Sequence, residues 1–213
     1  MVLPAQEGFV FELLSPFFSQ NGYECLLEHR QFRKRFVGGF QCVILSLSAY
    51  ERELWIEVNL GIRIDAVEQL VHQFVPSLSL SEAQNNTAVI SVGKLIQQPY
   101  FRYKADSQLS LAKRCREIAL LMGREGFDFL DAHNTMGALH YAFNEKPEEA
   151  TPLAHNLQHR CFRGLILAKM IAPAQMPDLE IAYQSYLYKQ KAPAALQEAF
   201  QRLINFLRFY SPN

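Results

Sequence analysis

No stretch of this chain approaches the roughly 18 consecutive apolar residues that a membrane-spanning helix needs, so no transmembrane anchor is expected. Charge of one sign is lacking too. The 21 Lys plus Arg balance 21 Asp plus Glu, and without a net field the chain is not expected to be a general binder of nucleic acid or anionic lipid. Cysteine is scarce: Cys25, Cys42, Cys115 and Cys161 lie far apart with no C-x-x-C spacing, and in a reducing compartment such residues read as small buried hydrophobes. The opening segment carries acids early and lacks a basic n-region, so it does not read as a secretory signal. The expected location is the cytoplasm, and Asn85-Asn86-Thr87 then matches a glycosylation sequon by coincidence.

Catalytic signatures are missing as well. There is no G-x-S-x-G and no cysteine with an evident histidine partner, and Gly38-Gly39 is not followed by the G-K-[ST] of a phosphate-binding loop. The carboxylates are dispersed: Glu148-Glu149 and Asp128/Asp131 read as charges that favour helix starts. His155 and His159 stand at i, i+4 on an expected helix, with His133 and His140 on the one before. No Glu adjoins His155 and no further ligand sits at a suitable spacing, so neither metal nor cofactor is expected.

What is present begins with the segment from His29 to Ile64, which reads as a three-strand antiparallel meander. Gly-Gly is a favoured two-residue hairpin loop because both positions need positive φ. A tight turn at Gly38-Gly39 sets Val37 opposite Phe40 and Arg33 opposite Ile44, and a second at Glu51-Arg52 sets Tyr50 opposite Glu53. Side chains alternate between faces. One face then collects Phe32, Phe36, Val43, Leu45, Leu47, Leu54, Ile56, Val58, Leu60 and Ile62. The other collects His29, Gln31, Arg33, Arg35, Cys42, Ser46, Ser48, Trp55, Glu57 and Asn59. A slip of one residue would mix the two sets, which is what pins the register. Arg33 or Arg35 is expected to pair with Glu57 across the sheet.

Around the meander, a helix is expected over Glu7 to Gln20, kinked or split at Pro16 and ended by Asn21-Gly22. A short helix follows Asp65 and stops at Pro76; Thr87 to Ile96 suggests a fourth strand. From Asp106 onward the pattern is helical. The expected starts are Asp106 or Ser107, Asp128, Thr151-Pro152, Met176-Pro177 and Pro193. Strands first and helices later is the α+β pattern. The expectation is an antiparallel sheet of about four strands in residues 1–105, with a helical region, 106–213, packed on it. The last helix is apolar almost all round, so it is either buried within the chain, the favoured reading, or a homodimer contact.

The short N-terminal helix, Gly22-Tyr23, the strand Phe32-Arg33-Lys34-Arg35-Phe36, Gln41 in the second strand and Asn59-Leu60-Gly61-Ile62 in the third together resemble a bacterial group, domain-of-unknown-function family 4304. The resemblance spans about the first third to half of the chain. It implies an α+β fold in a cytoplasmic bacterial protein, and it supplies no activity and no catalytic residues.

The run His29 to Phe36 interleaves basic and aromatic residues as single-stranded RNA platforms do. The register turns Phe32 and Phe36 into the core, however, so nucleic acid is not the expected partner. The polar face, His29, Gln31, Arg33, Arg35, Trp55, Glu57 and Asn59, points instead to a non-enzymatic interaction protein, regulatory or immunity-type, that meets a protein partner. The alternative from another class is a hydrolase or nucleic-acid-processing enzyme with its site between sheet and helices.

Overall fold

The structure, a computed structural model, describes residues 3–50, 53–75 and 85–211. In chain order the elements are α1 (Leu3–Gln20), β1 (Glu24–Leu26), β2 (Gln31–Phe36), β3 (Gly39–Tyr50), β4 (Glu53–Ile64), α2 (Asp65–Phe74), β5 (Ala88–Ser91), α3 (Val92–Leu95) and β6 (Tyr103–Ala105). The helices α4 (Gln108–Leu121), α5 (Phe127–His133), α6 (Met136–Asn144), α7 (Leu157–Ile171), α8 (Met176–Lys189) and α9 (Ala194–Phe209) complete the chain, with a π-helical turn, Met122–Gly126, joining α4 to α5. The fold is α+β, as the order of strand and helix patterns predicts. Two compact units emerge, residues 1–62 with 89–132 and residues 63–88 with 133–213. The division does not fall at residue 105, because α4 packs on α1 and β6 and so belongs with the sheet.

The first unit holds the sheet. Its strand order is β1-β2-β3-β4-β5, with β6 also paired to β4. Among the described residues that makes six strands rather than about four; β1 and β6 are three residues each, too short to show a period of two. The first hairpin turns at Val37-Gly38, not Gly38-Gly39: Phe36 lies opposite Gly39, Arg35 opposite Phe40 and Arg33 opposite Cys42. Gly38 takes the left-handed φ of 85°, whereas Gly39 is already the first residue of β3. Partners move along the strand by two residues, one full pleat, so the face assignments survive the shift. The second turn, at Glu51-Arg52, lies outside the described residues.

The apolar face forms as expected. Phe32, Val43, Leu45, Leu47, Leu54, Ile56, Val58, Leu60 and Ile62 are all buried, while Phe36 is half-buried next to the hairpin. Helix α1 covers part of this face: the ring of Phe18 stacks on Phe32 with centroids 4.1 Å apart, and Phe11 lies 5.2 Å from Phe32. Pro16 neither splits nor ends α1, which runs unbroken to Gln20. Pro16 is on the exposed side, where water can take the carbonyl it leaves without a donor. Buried Leu14 and Phe18 meanwhile hold the helix on either side of it. The helix ends as the residues predict. Gly22 adopts φ 82°, its N–H donates to Ser19 O, and Tyr23 N–H donates to Phe18 O; these two bonds are a Schellman closure.

In the second unit α7 is the central helix, buried along most of its length and touching α2, α6, α8 and α9. It begins at Leu157, capped by Asn156, whose side-chain oxygen accepts from Gln158 N (2.9 Å) and His159 N (3.0 Å). Thr151-Pro152 is therefore not the helix start. The helix expected from Asp128 ends at His133, and Thr135 caps a new one by accepting from Ala138 N at 3.2 Å. Arg160 is buried and donates to the carbonyls of Phe143 and Lys146, closing the C-terminal end of α6. Helix α9 buries one face, with Ala199, Phe200, Leu203, Ile204 and Leu207 inside and Phe209 outside, so it is amphipathic rather than apolar all round. Among the described residues no helix is long and apolar enough to cross a membrane.

Candidate functional site

The polar sheet surface is assembled by β4 and β6. Their antiparallel pairing sets Leu54 opposite Ala105, Trp55 opposite Lys104 and Ile56 opposite Tyr103. Alternation sends Leu54 and Ile56 inward and turns Trp55 and Lys104 to the other side. The Lys104 ammonium sits 4.4 Å from the Trp55 ring centre and the Arg102 guanidinium 5.5 Å from it. Arg102 is ion-paired with Glu57, and Lys104 lies 3.9 Å from Glu53. Glu53 also accepts the indole N–H of Trp55 at 2.9 Å, and the ring of Tyr50 leans on Trp55 with centroids 5.0 Å apart. The result is an aromatic pair framed by two carboxylates and two cations. Each internal tie is weak, about 0.5–1 kcal/mol for an exposed cation–π contact or ion pair. A partner's groups could therefore replace them at little cost.

The seven expected residues do not form one patch. Trp55, Glu57 and Asn59 are half-buried along β4, and the first two belong to the cluster just described. Gln31 and Arg33 are buried, so they offer no exposed surface; Arg33 lays its guanidinium 3.8 Å from the centre of the Phe40 ring. Gln31 Oε1 is buried with no hydrogen-bond partner among the described residues. His29 is half-buried in a 3-10 turn ahead of β2, and Arg35 is exposed near the hairpin. Neither Arg33 nor Arg35 pairs with Glu57, because β3 stands between β2 and β4 and two strand spacings amount to about 10 Å. Glu57 takes Arg102 instead.

Sequence reasoning missed Tyr50, Arg102 and Lys104 as neighbours of Trp55. The signal for β6 was one alternation, Tyr103-Lys104-Ala105, in a stretch to which no element was assigned. Gln41 had a place only in the family resemblance. It is in fact buried on the helix-covered face, where its amide donates to Tyr23 Oη (2.9 Å) and Asp131 Oδ1 (3.0 Å).

The second unit holds a buried charge cluster that no sequence motif announced. Glu68 is fully buried on α2, and both its oxygens accept from Arg163 on α7, at 2.8 and 2.9 Å. Burial alone would raise its pKa, but the Arg163 charge and hydrogen bonds, with help from Thr87 and Arg63, outweigh that and hold it below the ordinary carboxylate value. His72 lies 3.8 Å from the same carboxylate. The pKa of His159 is lowered, by burial first and by Arg163 second.

The histidines do not assemble as a metal pair. His155 precedes α7 while His159 lies in its first turn, so the two do not share a helix face. His140 receives an amide N–H from Asn144 at Nδ1, 2.8 Å away. Among the described residues no three His, Cys, Asp or Glu side chains come together as a metal site. Cys42, Cys115 and Cys161 are buried, outside any disulfide, whereas Cys25 is exposed on the edge strand β1. Burial raises the Cys115 thiol to about 11 and the Cys161 thiol to about 12, which leaves them protonated and poor nucleophiles.

No family model, no curated protein and no solved structure matches the chain.

Proposed function

We propose that this chain is a non-enzymatic interaction protein, regulatory or immunity-type, that recognises a protein partner through the β4–β6 surface centred on Trp55. One observation carries the reading: the chain's single tryptophan lies at an outward position of the sheet with Tyr50 against it and charges of both signs around it. Tryptophan, tyrosine and arginine are the residue types that dominate binding energy at protein interfaces. Acids and bases set side by side also suit a partner of matched, mixed charge better than a polyanion. The test is site-specific photocrosslinking in the native host, with the photoreactive group at position 50 or 53. A discrete heteromeric adduct that disappears in a Trp55→Ala chain of unchanged thermal stability is the expected result. Equal adducts with and without Trp55, or none at either position, would reject this surface as the recognition site.

A further inference from the structure

On the helical side of the first unit, α1 and α4 leave an apolar hollow of about 570 Å³. Its lining includes Phe17, Ala119 and Gly123, with Leu120 on its rim. The hollow exists because α4 and its π-helical continuation place an alanine and a glycine one turn apart. A Cβ built on Gly123 would meet no atom closer than Phe17 Cζ at 3.9 Å. A second hollow of about 480 Å³, walled by Phe101, Tyr103 and Leu121, shares Leu120 and Arg124 with the first. Leu120 is therefore a ridge between two depressions, and it stands 73% exposed. Leu109, on the same helix face three turns earlier, is 80% exposed.

The charge around this ridge is one-sided. Glu117 is tied to Arg114 at 2.8 Å and Glu125 to Arg124 at 2.6 Å, so both acids are engaged. Lys113 and Arg116 are exposed and have no carboxylate partner among the described residues. Positions 109, 113, 116 and 120 follow i, i+4, i+7, i+11, which places the free cations and the exposed leucines on one stripe.

We propose that this face docks an amphipathic helix of a partner protein whose apolar ridge is bordered by acidic residues. Two apolar hollows either side of a protruding leucine offer the ridge-and-groove relief on which an amphipathic helix packs. Lys113 and Arg116 then meet the acidic border. A second copy of the chain fits less well, since a two-fold contact through this face would bring Lys113 and Arg116 toward their own counterparts. The surface is distinct from the one around Trp55, so either can fail without the other.

The test uses the full chain and two fluorescent helical peptides of about five turns, with the same leucine ridge flanked by glutamate in one and lysine in the other. The glutamate peptide should bind more tightly by about ten-fold or more at low salt, and the gap should close as salt is added. Gly123→Leu, which fills the first hollow, and Leu120→Asp, at an exposed position, should each weaken that peptide by about ten-fold or more, whereas Trp55→Ala should not. Equal binding of both peptides, no saturable binding of either, or binding indifferent to both groove variants would overturn the proposal. So would sedimentation showing self-association of the wild-type chain that Leu120→Asp abolishes.

Discussion

Glu68 is tolerable in the interior because Arg163 closes on both of its oxygens. Removing one partner of such a pair leaves an uncompensated buried charge. Arg163→Met should therefore destabilise the second unit by about 3–5 kcal/mol in chemical denaturation. The double change Glu68→Leu with Arg163→Met should recover most of that loss, because the penalty belongs to the stranded carboxylate rather than to the missing contact. The pH dependence has a definite sign. The folded pKa of Glu68 lies below 4.5, its ordinary value, so the stabilisation it brings is present above about pH 4.5 and is lost as pH falls toward the folded value. His159 and His140 are lowered in the fold from 6.5, in both cases chiefly by burial. The unfolded chain thus takes up their protons first, and acidification below 6.5 already costs stability. Unfolding free energies measured from pH 7 to pH 3 should fall in two stages, and Glu68→Gln should flatten the lower one. A wild-type profile flat below pH 4.5 would contradict the pairing.

Helix starts separate a sequence signal from the capping bond that gives it effect. Asn156 accepts two backbone N–H groups at the head of α7, whereas Thr151 accepts one at 3.4 Å in the turn before it. Asn156→Ala should cost about 1 kcal/mol and Thr151→Ala a few tenths, as read from urea midpoints; equal costs would mean that the helix begins at Thr151 after all. The same contrast shows what could be read in advance. Ser107, one of the two expected starts, caps α4 by accepting from Ser110 N. Leu111, Cys115, Ile118 and Met122 are buried as their spacing implies. Inward and outward sets on β3 and β4 were legible because one face is uniformly apolar over many residues. Whether the first hairpin turns at Gly38-Gly39 or one residue earlier was not, since a displacement by a full pleat leaves every face unchanged. The three-residue strands β1 and β6 carry too few alternations to stand out from loop. Without β6, the partners of Trp55 could not be foreseen.

At the scale of the molecule, fold class followed from the order of patterns along the chain, while the division into two units did not. Helix α4 belongs with the sheet through contacts to α1 and β6, and no composition shift marks residue 133. Burial of Gln31 and Arg33 was equally invisible, because a polar residue on the outward side of a strand reads as exposed whether or not another segment lies over it. Charge, by contrast, was legible and recurs at smaller scale. The chain is neutral overall, and the surroundings of Trp55 are neutral too, with Glu53 and Glu57 set against Lys104 and Arg102. Because Trp55 is the chain's one tryptophan, its emission reports this surface alone. An anionic quencher such as iodide and a cationic one such as caesium should reach it with similar efficiency, once each is corrected for its own quenching of free tryptophan. Replacing Arg102 and Lys104 by Gln removes the positive half of the frame, and caesium should then become the better quencher at low salt. The difference should fade as ionic strength shortens the screening length to about 10 Å or less. If the two quenchers remained equally efficient in the double variant, charges other than these two would have to control access to the ring, and the charge-balanced surface proposed for partner recognition would have to be redrawn.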